Sequence, residues 1–245
     1  MYCVFHTAQP WALCAVQNER GAMRLQTLVF SVMLISAASV LAQQPGGRGG
    51  RGPALQPAPL FFKETWKDFS GNVPITQDFV VNPDLKLHMY GMGTEDFHIT
   101  NEGNVPHIWN GLCVSSCVLT LSHKESYVDL TGKAKIRWYT KTSGFHEVRP
   151  VLKLADGTWL IGDHFDANTF DYHESEFYLS EARWLKLDMP KVQTKGDLLA
   201  KVDLSKVDEI GFGDLTPGSG HGSGGYSDVA WIEVYGKPVK RETAN

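Results

Sequence analysis

The sequence lacks an excess of positive charge, and it lacks the long amphipathic runs that predict helices. Its 245 residues carry 23 Lys and Arg against 27 Asp and Glu, a formal net charge of −4. No basic face is apparent, and Arg48 and Arg51 are the only cationic cluster of the linker region. We therefore expect no nucleic-acid partner, because such partners select for a basic surface.

Catalytic and nucleotide-binding signatures are missing as well. No serine stands in a G-x-S-x-G elbow, and the histidines repeat at no metal-ligand spacing. Gly220, Gly222 and Gly225 formally satisfy G-x-G-x-x-G, but the last glycine opens YSDVAWIEVY, which has the composition of a strand. That motif binds phosphate only where it opens a helix, so we expect no nucleotide.

An export leader is predicted near the N-terminus, over residues 23–42. Arg24 precedes an apolar run, 25–41, and Val40 and Ala42 stand at the −3 and −1 positions of a cleavage site. Several polar residues interrupt the run, which favours a signal peptide over a transmembrane anchor. We expect a protein exported to the periplasm or out of the cell, with no membrane anchor after processing.

Residues 1–22 resemble neither a targeting nor a folding segment, and we expect translation to begin at Met23. Residues 43–59 are mostly Gly, Pro and Gln and are predicted to be a disordered linker. The mature chain then keeps only Cys113 and Cys117, too few for a zinc site. In an oxidising compartment these two are expected to form a disulfide that closes a very small ring.

From residue 60 to 240 the chain shows short strand-like runs broken by turn signals about every 8 to 12 residues, which is typical of an all-β sandwich or barrel. We predict one β-sandwich domain over 60–240, followed by a tail over 241–245. The predicted strands are 61–66, 85–90, 97–100, 118–121, 134–140, 146–154, 158–163, 175–179 and 183–187, and the stretch 203–235 closes the sheet pair. Asp156 and Gly157 suit a type I′ hairpin turn.

Alternation along three strands predicts a face that carries aromatic and charged side chains. Arg137 and Tyr139 share the polar side of one strand, and Tyr178 lies on the outward side of another. Trp231 and Glu233 alternate with apolar residues on a third. If these strands are neighbours, the five side chains form a platform for a sugar ring. The open alternative is that the tryptophan fills the core.

The densest polar segment, Asp163–Glu176, leaves three interpretations open. It contains metal-ligand residue types without a known metal spacing. Glu174 and Glu176 share a strand face and are the candidate acid and base of a polysaccharide hydrolase or lyase. The third interpretation is a solvated connecting loop that lines a ligand groove.

The order of several stretches resembles that of galactose-binding-like jelly rolls. These stretches are SYVDLTGKAKIRWYTKTSG, RPVLKLADGTWLIGDHF, WLKLDM, VDLSKVDEIGF and SDVAWIEVYG. Within that group the chain is similar to complex I intermediate-associated protein 30 type domains and to family 11 carbohydrate-binding modules. The resemblance implies a jelly roll and, at Glu64 and Asp228, a structural calcium.

Three functional hypotheses follow. The first is an exported, non-catalytic sandwich that binds carbohydrate from a cell wall or the environment through the predicted platform. The second is a secreted polysaccharide hydrolase or lyase. The third, which the mitochondrial relatives in the resemblance imply, is a module that assembles with another protein.

Overall fold

The computed structural model describes residues 56–91, 97–109, 117–215 and 225–242. Within them the chain is all β except for one short 3-10 helix, Gln77–Phe79. The predicted leader, almost all of the predicted linker and Cys113 lie outside the described residues. None of the described helical structure is long and apolar enough to cross a bilayer.

Seven strands in the described part of the chain form the first sheet: β1 (Leu60–Glu64), β2 (Asn72–Pro74), β4 (His98–Glu102), β5 (Val105–Trp109), β8 (Lys135–Ser143), β12 (His173–Tyr178) and β16 (Tyr226–Tyr235). They lie in the order β12-β8-β16-β5-β4-β2, and β1 pairs with β16. All of these pairings are antiparallel.

The second sheet contains β3 (Leu85–Gly91), β6 (Cys117–His123), β7 (Ser126–Asp129), β9 (Glu147–Leu154), β10 (Trp159–Gly162), β11 (Asp166–Ala167), β13 (Trp184–Asp188), β14 (Gln193–Leu198), β15 (Val207–Asp214) and β17 (Lys237–Lys240). Its main path is β14-β13-β10-β9-β15-β6-β3. The sandwich predicted from the sequence is thus confirmed for the described residues.

The core lies between the two sheets and follows from period-2 alternation on each strand. On β8, Ile136 and Trp138 are fully buried, and on β16 Ile232 is as well. The second sheet meets them with Leu119 and Phe212 in the same apolar cluster. Alternate residues on each strand therefore point away from the core, which leaves each sheet an outward face.

The hairpin between β9 and β10 differs from the predicted type I′ turn. That turn requires positive φ at both central residues, but of the pair only Gly157 has one, at 87°. The Gly157 N–H donates to Leu154 O at 2.9 Å, and the Thr158 N–H donates to Asp156 Oδ1 at 2.8 Å. The turn is therefore wider than predicted and is held by an aspartate cap.

Sequence patterns missed six short strands: β2, β5, β7, β11, β14 and β17. Each has between two and six residues, too few to establish an alternation. One of them, β17, follows β16 and pairs with β7, so β16 is not the closing strand of the domain.

Candidate functional site

Three neighbouring strands, β12, β8 and β16, place the predicted platform residues on the outward face of the first sheet. Glu233 lies opposite Arg137, and Trp231 lies opposite Tyr139. Because directly opposed residues of an antiparallel pair share a face, these four side chains are brought together. Trp231 is half-buried and points outward, so the alternative in which it fills the core is wrong.

Tyr178 lies on the same outward face but one residue row further along. It is opposite Lys135, which in turn is opposite Tyr235. A small groove of about 270 Å³ runs between these side chains and Lys133. Tyr178 therefore belongs to the edge of the platform and not to its centre.

A row of charges crosses the middle of this face. The Arg137 guanidinium donates to Glu233 at 2.9 Å and to Glu174 at 2.7 Å, and Lys63 donates to Glu233 at 2.8 Å. Although burial opposes it, the hydrogen bonds from Lys63 and Tyr235 and the charge of Arg137 keep the pKa of Glu233 below its usual value. The cations and carboxylates of this row neutralise each other, and their ion pairs hold Arg137 beside Trp231.

An aromatic strip runs beside the charged row. The rings of Trp231 and Tyr139 are stacked with centroids 6.0 Å apart, and Tyr139 contacts Tyr172 at 5.1 Å. Tyr172 in turn meets His107 edge-on at 5.7 Å. Lys141 lies over the Tyr172 ring at 5.5 Å. We call Trp231, Tyr139 and Tyr172 the aromatic strip. All three are half-buried, and Lys63 and Arg137 lie over the Trp231 ring at 5.1 and 5.6 Å.

A β-bulge in β16 brings Asp228 to the same face. The pairing with β8 shifts register between Val229 and Trp231. Strict alternation from Trp231 would place Val229 outward and Asp228 inward. The extra residue, Ala230, reverses this, so that Val229 enters the core and Asp228 lies opposite Lys141. Bulges re-aim side chains in this way and are frequent beside functional sites.

Asp228 is buried, and its Oδ1 atom has no hydrogen-bond partner among the described residues. The residue is 4% exposed. The nearest basic group is His107 Nε2, 3.9 Å from Oδ2, which is too far for a hydrogen bond. Burial raises the pKa of Asp228 to about 8, although the charge of Lys141 opposes this rise. The carboxyl group is therefore largely protonated at neutral pH.

Two neighbours of Asp228 also present free polar atoms. The Tyr172 hydroxyl is buried and has no partner within the part of the chain that the structure describes, and burial, reinforced by the charge of Asp228, raises its pKa. His107 Nδ1 lies 2.9 Å from Val105 O; a carbonyl only accepts, so Nδ1 carries the proton and Nε2 has a free lone pair. Burial lowers the His107 pKa, which favours this neutral form. Sequence reasoning missed both residues.

The structure does not bring the predicted calcium pair together. Glu64 lies opposite Ile232 and faces the core, whereas Asp228 faces outward. Both carboxylate oxygens of Glu64 accept backbone N–H groups, at 2.8 Å from Val81 and 3.0 Å from Asn82. Among the described residues, no three His, Cys, Asp or Glu side chains are placed to hold a metal ion.

Glu174 and Glu176, the candidate catalytic pair, are both engaged in ion pairs. Glu174 accepts from Arg137 at 2.7 Å, and Glu176 accepts from Lys135 at 2.8 Å. Their side chains are 58% and 39% exposed. This arrangement does not favour the hydrolase hypothesis, because each carboxylate is already paired with a cation on an exposed face.

The segment Asp163–Glu176 is more ordered than the predicted solvated loop. It contains β11 and the first residues of β12, and Asp166 within it is buried. Asp166 Oδ2 accepts hydrogen bonds from Trp138 Nε1 and Thr140 Oγ1, both at 2.7 Å. The segment is therefore anchored to the core through β8, and Tyr172 is carried to the outward face on its far side.

The outward face of the second sheet has a different character. Glu209 is buried there and accepts hydrogen bonds from Tyr90, Thr120 and Lys153, the last at 2.7 Å. Around it lies a second apolar cluster, which consists of Val118, Val151, Ile161, Leu185, Leu187, Met189 and Val192. This face is apolar with one satisfied acid, and its residues were not predicted as a site.

A groove of about 840 Å³ lies at the margin of that sheet. It runs between the β9–β10 hairpin and the segment after β13, and its described lining includes Trp159, Lys186, Asp188, Lys191, Thr194 and Asp197. Trp159 supplies its one aromatic ring among the described lining residues. The groove is the second place at which a ligand could bind.

The predicted disulfide stays a prediction. Cys117 is buried at the start of β6, but Cys113 lies outside the described residues.

No protein-family model and no curated protein matches the chain. Among solved structures it is similar to the family 11 carbohydrate-binding module of the cellulosomal cellulase Lic26A-Cel5E of Clostridium thermocellum, with 15% identity and a TM-score of 0.36 over 66% of this chain and 87% of that one. It is also similar to the family 11 module from Clostridium thermocellum in complex with a beta-1,3-1,4-mixed-linked tetrasaccharide, with 16% identity and a TM-score of 0.36 over 75% of this chain and 99% of that one. For PfGH50B the identity is 11% and the TM-score is 0.39, over 64% of this chain and 23% of that one. Similarity of this size assigns neither family nor ligand.

Proposed function

We propose that this protein is an exported, non-catalytic β-sandwich that binds carbohydrate through the outward face of its first sheet. The observation that carries the proposal is the aromatic strip, in which Trp231, Tyr139 and Tyr172 form a connected, half-buried row of rings on the outward face. Flat aromatic faces bind the apolar side of a pyranose, and neighbouring polar groups orient it. In the same proposal the sandwich is a jelly roll of the galactose-binding-like type, and the leader over 23–42 directs its export.

The charges of this face favour a neutral glycan. Lys63, Lys135, Arg137 and Lys141 each form an ion pair with a glutamate of the same face. A cation that is already paired offers little to an acidic sugar, whose carboxylate would have to displace the glutamate. Hydroxyl-rich neutral polymers need no such exchange.

The outward face of the second sheet supports binding less well. Its apolar side chains are buried within their own cluster. Tyr90, Thr120 and Lys153 all donate to the Glu209 carboxylate, and Lys153 also lies 3.4 Å from Asp208. The marginal groove beside Trp159 is open to a ligand, but the single ring among its described lining residues gives a sugar chain little to stack on.

A glycan array with the purified chain from Gln43 onward tests the proposal, with and without calcium. We expect selective binding to neutral glycans. Both Tyr139→Ala and Trp231→Ala are expected to weaken that binding at least about tenfold, because each removes a stacking face. Isothermal titration calorimetry on a glycan that the array identifies measures the loss.

Tyr127→Ala is the matched control, since Tyr127 is a half-buried tyrosine of the second sheet that lies under Arg241 at 4.3 Å. Its binding should equal that of the unmodified protein. If Trp159→Ala abolishes binding while Trp231→Ala does not, the site lies on the second sheet. A blank array from protein with a folded near-ultraviolet circular dichroism spectrum would refute the proposal and favour a protein partner.

A further inference from the structure

The cluster around Asp228 differs from the rest of the described site, because several of its polar atoms have no hydrogen-bond partner. Among residues 56–91, 97–109, 117–215 and 225–242, no group hydrogen-bonds to the buried Asp228 Oδ1 atom or to the buried Tyr172 hydroxyl, and His107 Nε2 keeps its lone pair because Nδ1 donates to Val105 O. Burying a polar atom without a partner costs free energy, so native proteins rarely leave several together without a ligand or a water. The cluster lies beside the Tyr172 end of the aromatic strip.

The β-bulge at Ala230 is a second, independent sign of a site. Without the extra residue, Asp228 would point between the sheets and Val229 would lie on the surface. The chain thus interrupts its own alternation in order to place one acid beside Lys141 and His107. A bulge that re-aims a side chain toward a cluster with free polar atoms is characteristic of a binding site.

The charges around Asp228 restrict what can bind. Lys141 faces it from β8, Glu102 acts on it from β4, His107 faces it from β5, and Tyr172 faces it from the segment before β12. Lys141 and Glu102 form an ion pair at 2.7 Å. Binding of a cation is disfavoured, because the carboxyl group is neutral and lies next to a lysine. Binding of an anion is disfavoured by the negative charge of Glu102.

A hydroxyl group fits this cluster, because it donates and accepts at once. The protonated Asp228 carboxyl and the Tyr172 hydroxyl can donate to its oxygen, and its own proton can go to His107 Nε2. We infer that Asp228, Tyr172 and His107 form a subsite that receives one hydroxyl group of the bound glycan and orients the sugar on the aromatic strip. This inference rests on the proposed function.

The subsite makes binding depend on pH. With a pKa of about 8 for Asp228, the carboxyl group is a donor below that pH and a buried anion above it. Ionisation removes the donor and leaves a charge without a partner. Affinity is therefore expected to fall as the pH rises through about 8, although the rings of the strip are unchanged.

The test uses a glycan that the array identifies and measures its affinity by calorimetry from pH 6 to pH 9.5. We expect the unmodified protein to lose about tenfold in affinity across this range. Asp228→Asn, which is neutral at every pH, should give a flat profile. Tyr172→Phe keeps the ring and should bind several-fold more weakly at all pH values. Asp156→Asn, at an exposed turn of the second sheet, is the matched control and should follow the unmodified protein.

The outcomes separate this inference from the proposed function. If the glycan binds, and Asp228→Asn and the unmodified protein show the same affinity at every pH, the cluster holds only a buried water and the subsite is wrong while the function stands. If folded protein binds no glycan at any pH, the proposed function fails and the subsite fails with it. Circular dichroism at each pH shows that the variants remain folded.

Discussion

Glu209 and Asp228 are two buried acids on the outward faces of opposite sheets, and their surroundings differ. Glu209 is 2% exposed and accepts hydrogen bonds from Tyr90, Thr120 and Lys153. Asp228 is 4% exposed, and within the described residues no donor reaches its Oδ1 atom. Burial is nearly equal, so burial alone does not distinguish a structural acid from a site.

The number of hydrogen-bond donors around the carboxyl group distinguishes a structural acid from a binding site. A buried carboxylate that is fully hydrogen-bonded stabilises the fold and leaves nothing for a ligand. A buried carboxyl without donors costs stability, and a protein keeps one where something else supplies the missing bonds. Glu64, which accepts backbone N–H groups, behaves like Glu209 on this criterion.

The largest effect is expected for Glu209→Ala. Removing the carboxylate leaves Tyr90, Thr120 and Lys153 without their shared acceptor, so the free energy of unfolding should fall by about 3–5 kcal/mol. Urea denaturation at pH 7 measures it, with Glu176→Ala on the exposed face as control. A fall below about 1 kcal/mol would mean that these donors readily find water, and the contrast with Asp228 would be lost.

Asp228→Asn should raise the free energy of unfolding, whereas Glu209→Ala should lower it. Burial raises the pKa of Asp228 from 3.8 to about 8, so the folded state keeps a proton that the unfolded chain has already lost. The stability due to this group is fully present below about pH 4 and is lost as the pH rises to about 8. Since each unit of pKa shift is worth about 1.4 kcal/mol, the variant should gain several kcal/mol on the unmodified protein over that window.

Urea denaturation of both proteins at pH 4, 6 and 8 measures this change. Asp156→Asn serves again as the exposed control and should show no such gain with pH. A difference between Asp228→Asn and the unmodified protein that stays constant with pH would show that the carboxyl group of Asp228 titrates normally.

The smallest effect is expected for Arg137→Met, which tests how much an ion pair at the surface contributes to stability. Arg137 and Lys153 have similar side-chain exposure, 29% and 27%, but Arg137 pairs with Glu174 at 58% and Glu233 at 10% exposure, whereas Lys153 pairs with Asp208 at 19% and Glu209 at 3%. Arg137→Met should lower the free energy of unfolding by less than about 1 kcal/mol. The loss should shrink further in 1 M salt, because screening weakens exposed pairs.

Lys153→Met is the matched variant. It should cost more than Arg137→Met and respond less to salt, because its partner Glu209 is buried. Equal losses for the two variants, measured by urea denaturation at low and high salt, would contradict the argument that the exposure of the carboxylate decides the outcome.

Sequence reasoning was most successful where a strand is long and one of its faces is buried. The first eight residues of β8 alternate without interruption, and Arg137 and Tyr139 lie on the same outward face, as predicted. It failed at Asp228, where the bulge breaks the alternation, and at Tyr172, which precedes β12 in a segment predicted to be a loop. The β-bulge leaves no local signature in SDVAWIEVY.

The sequence by itself determined the all-β class and the face on which each residue of the long strands lies, because the side-chain period of a strand is a local property. Only the tertiary structure decided which strands are neighbours and in what register, since these depend on contacts between distant residues. Arg137 and Glu233 are 96 positions apart in the chain and 2.9 Å apart in the fold. The same long-range pairing, shifted by one residue at the bulge, turns Asp228 to face Lys141, His107 and Tyr172.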